Sequence, residues 1–412
     1  MVRLVVLCAL VGLATASAPE QLFVNFGERP DTLWFSWMTA SQDASVVQYG
    51  TSAQNLSSAV QGARFSSASS DGEVSTHHTA KNYTFSLLGS SYTSGYIHHV
   101  QATQLQPATQ YWYRVGSTAG WSEVHTVTSH PGVGADIPFF WAVVGDLGQT
   151  KFSNQTIQHL LAQPKLQGIL HAGDLSYRHL VPFHSDDDQL KYGAKADREW
   201  DTYQALIEPL SSGMPWHTTV GNHEIENPFD PFVAYQARYR MPFDASNPLQ
   251  QGSLWWSMNV ASAHIVFLSS YSPFEEGSDQ FQWLTADLAS IDKSAHHKEG
   301  DAMRDAMEHT LKHAGVDLVF AGHVHAYERH TRVYKKEPDH HGPVYITIGD
   351  GGNREGLATH WIDPQPDISL FRQSAYGHGE LNIVNASALH WSWHRGEDSE
   401  GTVADEVWIY KQ

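Results

Sequence analysis

Four short stretches of the chain combine glycine with oxygen or imidazole side chains, and each follows a hydrophobic run. They are Gly145-Asp146, Gly173-Asp174, Gly221-Asn222-His223-Glu224 and Gly322-His323-Val324-His325. Glycine lets the backbone turn sharply where a strand ends, which places the polar side chain at the carboxyl end of the strand. In an open α/β sheet that edge binds ligands. Carboxylate, amide and imidazole groups gathered there predict a site for a pair of metal ions.

Each stretch alone is weak evidence, because a structural role is the commoner explanation. A single Gly-Asp after a strand usually caps the next helix, and Asn-His beside glycine is most often a turn. His323 and His325 carry more weight, since alternate residues of a strand point to the same side. The metal-site prediction therefore depends on the ordered set of four stretches, which chance rarely produces.

The elements that must position these residues fall into two regions. Residues 19–130 contain short alternating apolar runs separated by turn residues, which predict an all-β sandwich. Residues 131–137, rich in proline and glycine, are the predicted linker. Residues 138–412 alternate apolar strands with helical segments and predict an α/β domain. The main predicted elements are strands at 22–26, 33–38, 46–50, 96–104, 111–115, 124–127, 263–268, 318–321 and 344–349, and helices at 153–162 and 198–210.

The charge of the chain excludes some functions. Forty-four acidic against 25 basic residues give a net charge of −19, which argues against a nucleic-acid-binding surface. An anionic substrate must therefore be attracted by local metal charge. No apolar run after the first few residues reaches the length of a membrane span.

The amino-terminal segment predicts export from the cell. Residues 1–18 contain Arg3, an apolar run from Leu4 to Leu13 and several small residues, as expected of a secretory signal peptide and hence of a secreted, extracellular protein. Its removal would take away Cys8, the only cysteine, and leave no disulfide or thiol nucleophile. Four Asn-x-Ser/Thr sequons make glycosylation an expectation; they begin at Asn55, Asn82, Asn154 and Asn385.

Taken together, these motifs resemble the ordered blocks of the purple acid phosphatases, the iron-containing branch of the metallophosphoesterases. The blocks are GDLG at 145–148, GDLSY at 173–177, GNHE at 221–224 and GHVHAYER at 322–329. The resemblance extends to residues 345–356 and 371–379. It also includes the amino-terminal region, where residues 105–113 resemble the corner of a fibronectin type III-like domain. This combination is typical of the large plant and fungal enzymes of the family.

The resemblance implies a set of metal ligands and cofactors. Asp146, Asp174, Tyr177 and His325 correspond to ligands of a ferric ion, and Asp174 would bridge to a divalent iron, zinc or manganese ion that Asn222 and His323 also bind. Carboxylate and phenolate oxygens suit a hard trivalent ion. His223 and His296 correspond to catalytic residues that contact the substrate.

The implied activity is that of a secreted acid phosphatase. A metal-activated hydroxide would attack phosphate monoesters, and a ferric ion would keep the hydroxide available at acidic pH. A phosphodiesterase or nucleotide phosphatase is the alternative within enzymes, because the same metal core serves both. The resemblance also leaves open a homodimer, which in this chain would lack an interchain disulfide.

One segment of the family pattern is missing. The family has a further metal-binding histidine at the end of a strand between the GNHE and GHVH blocks. Here the predicted helices 279–291 and 301–313 are joined through Ser294 and His296 with no apolar run. About twenty residues, the length of one strand with its connections, are lacking. Either the sequence derives from a faulty gene model, or this chain has a weakened divalent site and is a binding protein of low activity.

Overall fold

A computed structural model of the protein describes residues 18–61, 80–87, 90–177, 199–225, 231–289, 301–398 and 401–411. Within these ranges, no helix is long and apolar enough to cross a membrane. The predicted signal peptide lies almost entirely outside the described residues, as does His296.

The amino-terminal region folds as two antiparallel sheets packed face to face. One sheet has the order β1-β2-β7, and the other has the order β10-β8-β3-β4 with β9 beside β8. The rings of Phe35 and Tyr113, one from each sheet, lie 4.6 Å apart at the centre of the sandwich. The strands are β1 (Glu20–Phe26), β2 (Leu33–Thr39), β3 (Val46–Gly50), β4 (Ser58–Gln61), β5 (Thr84–Leu87), β6 (Ser90–Thr93), β7 (Tyr96–Ala102), β8 (Gln110–Ser117), β9 (Gly120–Trp121) and β10 (His125–Thr128).

Alternation of apolar and polar residues explains this sandwich, because every second side chain faces the core. The corner predicted between residues 105 and 113 is present: the backbone N–H of Gln106 donates a hydrogen bond to the Tyr111 hydroxyl oxygen at 2.9 Å. The predicted all-β sandwich is therefore confirmed.

The second region contains a six-stranded mixed sheet with the order β13-β12-β11-β21-β22-β23. Its members are β11 (Phe139–Val144), β12 (Gly168–His171), β13 (Trp216–Thr218), β21 (Gly377–Asn385), β22 (Ala388–Arg395) and β23 (Val403–Tyr410). The first three strands run parallel to one another, whereas β21 is antiparallel to β11. The carboxyl ends of β11, β12 and β13 therefore meet at one edge of this first sheet.

The described part of the α/β domain contains five α-helices. They are α1 (Lys151–Ala162), α2 (Glu199–Ser211), α3 (Val233–Arg238), α4 (Asp279–Ala289) and α5 (Asp301–His313). Helix α1 begins at Thr150, whose hydroxyl accepts hydrogen bonds from the backbone N–H groups of Phe152 and Ser153. Its buried residues Ser153, Thr156, Ile157 and Leu160 follow the spacing of one helix face.

A second mixed sheet packs against the other face of the first. It has the order β16-β19-β17-β18, with β20 beside β17. Its strands are β16 (Leu318–Ala321), β17 (Tyr327–Tyr334), β18 (Glu337–Pro338), β19 (Val344–Ile348) and β20 (Ser369–Gln373). The ring of Tyr327 stacks on that of Trp393 in β22 at 4.4 Å, which joins the two sheets. The predicted α/β domain with mixed sheets and flanking helices is confirmed.

A hairpin forms a sheet of its own, and one cavity lies between it and the second sheet. The hairpin is β14 (Trp256–Val260) with β15 (Ala263–Phe267), and among the described residues β15 pairs only with β14 and β16 only with β19. Both β15 and β16 line one cavity of about 310 Å³, whose other walls include Leu170, Leu381 and Ile383 of the first sheet. One strand placed between β15 and β16 would join hairpin and sheet.

The two domains share a buried polar contact centred on Arg238 of α3. Its guanidinium donates hydrogen bonds to Gln21, Tyr83 and Tyr92 of the sandwich, and also to Asp201 of α2 at 2.7 Å. The side chain of Arg238 is only 3% exposed. A buried guanidinium requires such partners, because an unpaired charge away from water is costly.

Candidate metal centre

The predicted ligands stand at the ends of strands from both sheets of the catalytic domain. Asp146 follows β11, Asp174 and Tyr177 follow β12, and Asn222 follows β13. His323 and His325 follow β16, which belongs to the second sheet. The site therefore lies where the edges of the two sheets meet.

The two histidines are not in a strand, contrary to the reasoning from alternate residues. Strand β16 ends at Ala321, and His323 has a left-handed backbone with φ of 69°. The cause is a hydrogen bond in which the backbone N–H of His323 donates to Asp146 Oδ2 at 2.7 Å. Their side chains consequently diverge: His325 points to Tyr177 and His323 to Asn222.

The first group of ligands is built around the Tyr177 hydroxyl. It donates a hydrogen bond to Asp146 Oδ1 at 2.9 Å and lies 3.1 Å from His325 Nε2. His325 Nε2 is also 3.3 Å from Asp146 Oδ1. A carboxylate, a phenol and an imidazole thus meet at one point, and they are three of the four side chains predicted to bind a ferric ion.

The second group consists of Asn222 and His323. His323 Nδ1 lies 2.9 Å from Asn222 Oδ1, which also accepts a hydrogen bond from the Tyr271 hydroxyl at 3.3 Å. Asp174 contacts both groups: its Oδ1 accepts the backbone N–H of His223, the residue after Asn222, at 2.9 Å, and its carboxyl group interacts with that of Asp146. The structure therefore brings all six predicted ligands together.

The backbone at the site adopts conformations that ordinary residues rarely take. Positive φ angles occur at Asp146 (53°), Asp174 (52°), Tyr177 (53°) and His323 (69°), which are four of the six predicted ligands. Such conformations cost about 1–3 kcal/mol each and persist where the surroundings enforce them. Strain concentrated on these residues indicates a functional site.

The acidic groups are poorly accommodated without a cation. Burial raises the pKa of Asp146 to about 8. Burial, together with the neighbouring Asp146, raises the pKa of Asp174 to about 7. Burial and these two carboxylates also raise the pKa of the Tyr177 hydroxyl. A bound cation reverses this effect because it favours the deprotonated forms, so the donor set fits a metal centre.

His223 lies against the metal ligands. Its ring stacks on that of Tyr177 at 4.0 Å, and its Nε2 is 3.5 Å from Glu355 Oε1. The side chain is 7% exposed. The second predicted catalytic residue, His296, lies outside the described residues, so its role stays a prediction.

Two glutamates of the site carried no predicted role. Glu224 is fully buried, and its carboxylate accepts the backbone N–H groups of Gly221 at 2.7 Å, Asp174 at 3.0 Å and Leu175 at 2.9 Å. It therefore holds the ends of β12 and β13 together. A Glu three residues after the start of a tight turn is a capping-box signal that could have identified it. Glu355 reaches the site from a distant loop; it lies in the block 345–356 that resembles the family, but its role was not predicted.

Comparison with known proteins gives one consistent result. Residues 19–129 match the family model of the purple acid phosphatase N-terminal domain, residues 141–327 that of the calcineurin-like phosphoesterases, and residues 342–406 that of the iron/zinc purple acid phosphatase-like C domain.

Individual proteins agree with these models. The chain is 38% identical to purple acid phosphatase 18 of Arabidopsis thaliana over 96% of this chain and 85% of that one. It is 37% identical to the Fe(3+)-Zn(2+) purple acid phosphatase 12 of the same plant, over 77% and 72% respectively. A solved purple acid phosphatase from yellow lupin (Lupinus luteus) seeds shares the fold, with a TM-score of 0.76, 20% identity, and coverage of 95% of this chain and 74% of that one. The chain therefore belongs to the purple acid phosphatase family.

Proposed function

We propose that the chain is a secreted acid phosphatase that hydrolyses phosphate monoesters at a centre of one ferric and one divalent metal ion. The observation that carries this proposal is the convergence of Asp146, Tyr177 and His325 within 3.3 Å of one another. The relatives named as purple acid phosphatases, one of them an Fe(3+)-Zn(2+) enzyme, support it.

Each residue of the site has a role in this proposal. Asp146, Tyr177 and His325 hold the ferric ion, Asp174 is shared, and Asn222 with His323 holds iron, zinc or manganese. When bound, the two ions supply a water nucleophile at low pH and neutralise charge on the phosphoryl oxygens. Glu224 positions Asp174 through its backbone N–H and stays remote from the substrate.

His223 is the proposed proton donor. Its backbone N–H is bonded to Asp174, so its ring is fixed beside the metal centre. Stacking on Tyr177 and the nearby Glu355 carboxylate orient the imidazole further. In this position a protonated imidazole can hydrogen-bond a phosphoryl oxygen or protonate the leaving alcohol.

The test compares two substrates on the purified chain. We expect kcat/KM for 4-nitrophenyl phosphate to exceed that for bis(4-nitrophenyl) phosphate at acidic pH, with iron found by elemental analysis. A preference for the diester would favour the phosphodiesterase or nucleotide phosphatase alternative. Hydrolysis of neither ester by metal-loaded protein would contradict the proposal and favour a binding protein.

The separation of the hairpin β14-β15 from the second sheet supports a second candidate function, that of a phosphatase weakened at its divalent metal site. Among the described residues β15 pairs only with β14 and β16 only with β19, and both strands line one cavity. The family segment that carries the further histidine would enter the chain between these two strands. On this proposal the divalent ion has only Asp174, Asn222 and His323 as ligands. Measured affinity for zinc or manganese in the micromolar range or tighter would contradict it.

We also propose secretion, glycosylation and a homodimer without an interchain disulfide. The pattern of residues 1–18 supports secretion. Three of the four sequon asparagines are exposed (Asn55, Asn82 and Asn154), whereas Asn385 is half-buried. Recovery of the protein from the culture medium of eukaryotic cells tests secretion, and retention inside the cells would contradict it. A mass that falls on treatment with a glycosidase tests glycosylation.

A further inference from the structure

A second group of metal-binding side chains lies away from the strand ends. His378 of β21 and His394 of β22 are directly opposed in the antiparallel register, so both point to the same face of the first sheet. Glu380 lies two residues after His378 and shares that face. One ligand atom from each of the three lies within 4.8 Å of the others. Sheet register alone thus places two imidazoles and a carboxylate together.

This cluster is separate from the metal centre described above. Gly379 and Trp393, which alternate with its members, form the neighbouring opposed pair and face the second sheet, where Trp393 stacks on Tyr327. The cluster therefore occupies the opposite, helix-covered face. Helix α1 lies over it, since the ring of His159 is 5.9 Å from that of His378. None of the six predicted ligands belongs to the cluster.

The side chains of His394 and Glu380 already make hydrogen bonds to neighbouring groups, as metal ligands usually do. His394 Nδ1 lies 2.8 Å from the Gly401 carbonyl oxygen, which can only accept, so Nδ1 carries the proton. The Nε2 atom of His394 then faces Glu380 Oε2 at 3.3 Å. Glu380 Oε1 accepts a hydrogen bond from Gln163 Nε2 at 2.6 Å. Such outer contacts fix ring orientation and tautomer in metal sites.

Two buried histidine nitrogens beside the cluster lack hydrogen-bond partners among the described residues. Nδ1 of His378 and Nδ1 of His159 are both buried and have no hydrogen-bond partner among the residues that the structure describes. His378 is 2% exposed, and burial lowers its pKa to about 3, so its imidazole is neutral and able to bind a cation. Buried polar atoms without partners are uncommon and call for an explanation.

An ion pair between Glu380 and a protonated His394 is the simpler explanation of the cluster. It accounts for those two residues. It leaves the buried Nδ1 atoms of His378 and His159 without hydrogen-bond partners among the described residues, whereas a cation held by the three side chains would give the imidazole of His378 a partner. The pairing of imidazoles with one carboxylate is a ligand set that zinc accepts.

We propose that His378, Glu380 and His394 bind a zinc ion, with His159 as the nearest further ligand, and that this ion ties α1 to β21 and β22. The site is structural, because the helix covers it and no ligand of the strand-end centre takes part. It is independent of the chemistry proposed at that centre.

The test is zinc uptake by the full chain after removal of metals with a chelator. Wild type, Glu380→Gln and His394→Gln are dialysed against the same zinc buffers and measured by elemental analysis. Ser392→Ala is the matched control, because its hydroxyl lies 3.0 Å from His394 Nε2 but is not a zinc ligand. Zinc at the strand-end centre is common to all four proteins and cancels in the comparison.

We expect wild type and Ser392→Ala to hold one zinc per chain more than the other two variants. Zinc should also raise the thermal unfolding temperature of wild type and Ser392→Ala by more than it raises that of Glu380→Gln and His394→Gln. Equal zinc content in all four proteins would overturn the proposal. Should the variants fail to fold, zinc-edge anomalous diffraction from wild-type crystals decides: a peak about 2.0–2.2 Å from the three side chains supports the site, and its absence in zinc-soaked crystals refutes it.

Discussion

The backbone N–H of His323 donates a hydrogen bond to Asp146 Oδ2 at 2.7 Å, and this bond joins the edges of two different sheets. Gly322 makes the approach possible, because a Cβ atom at this position would stand 2.5 Å from the same carboxylate oxygen. The position of one metal group relative to the other therefore depends on close backbone contact as well as on side chains.

Gly322→Ala should separate the two sheet edges and disturb both ligand groups. A displacement of about 1 Å at a reacting centre costs on the order of a hundredfold in rate. We expect kcat/KM to fall by about that factor, and metal content with it, while circular dichroism stays that of the wild type. Gly213→Ala is the control, since its nearest non-neighbouring atom lies 3.3 Å from the added Cβ. An active Gly322→Ala enzyme would show that the close approach is dispensable.

Tyr177→Phe should remove the phenolate while it keeps the ring that stacks on His223. We expect loss of the visible absorption that iron-bound tyrosinate produces in the family. Metal affinity or activity should fall by at least the factor of about 10–100 that the loss of an outer hydrogen-bond partner of a ligand costs. Tyr327→Phe is a matched control, because it removes a buried hydroxyl bonded to a carboxylate, that of Asp405 at 2.7 Å, away from the site. Unchanged absorption in Tyr177→Phe would exclude the residue as an iron ligand.

Insertion of the missing strand should repair the divalent site. A segment of about twenty residues, with an apolar strand that ends in histidine, would be placed between Lys293 and Ser294. We expect at least a tenfold gain in affinity for zinc or manganese, measured by equilibrium dialysis, together with a higher unfolding temperature. The same insert with alanine in place of its histidine should give the stability gain alone. Equal metal affinities for the two inserts would contradict the prediction.

Acid should destabilise the sandwich domain through His98. This side chain is 1% exposed and lies between the hydroxyls of Thr39 and Ser45. Burial, and secondarily His99, lowers the pKa of His98 to about 4, against about 6.5 in an unfolded chain. The stabilisation is therefore complete above pH 6.5 and is lost as the pH falls towards 4.

His98→Gln should make the free energy of unfolding less dependent on pH in this interval. The change corresponds to up to one proton, or about 1.4 kcal/mol per pH unit. Urea unfolding of the full chain between pH 4.5 and pH 7 measures it, with a substitution of the exposed His340 as the control. Equal slopes for wild type and His98→Gln would show that His98 titrates normally in the folded protein.

The sequence predicts a feature of the fold or the site when the signal for that feature lies in neighbouring residues of the chain. Asp146, Asp174 and Asn222 each follow their own strand directly, so the pattern of a hydrophobic run followed by a ligand is enough to identify them. Glu355 lies in the block 345–356, but no hydrophobic run directly before it marks the residue as part of the site. The left-handed backbone at His323 also has a remote cause, its bond to Asp146. The cluster of His378, Glu380 and His394 arises from strand register, which pairs residues sixteen apart and leaves no short motif.

Arg238 has a consequence for how the protein melts. Arg238 belongs to the α/β domain. Three of the partners of its guanidinium, Gln21, Tyr83 and Tyr92, belong to the sandwich. Separation of the two domains would cost Arg238 these three hydrogen bonds and leave, among its described hydrogen-bond partners, only Asp201. The loss of such buried contacts costs a large fraction of the net stability of a domain. Calorimetry should accordingly record one heat-absorption peak for the whole molecule, and Arg238→Met should split it into two.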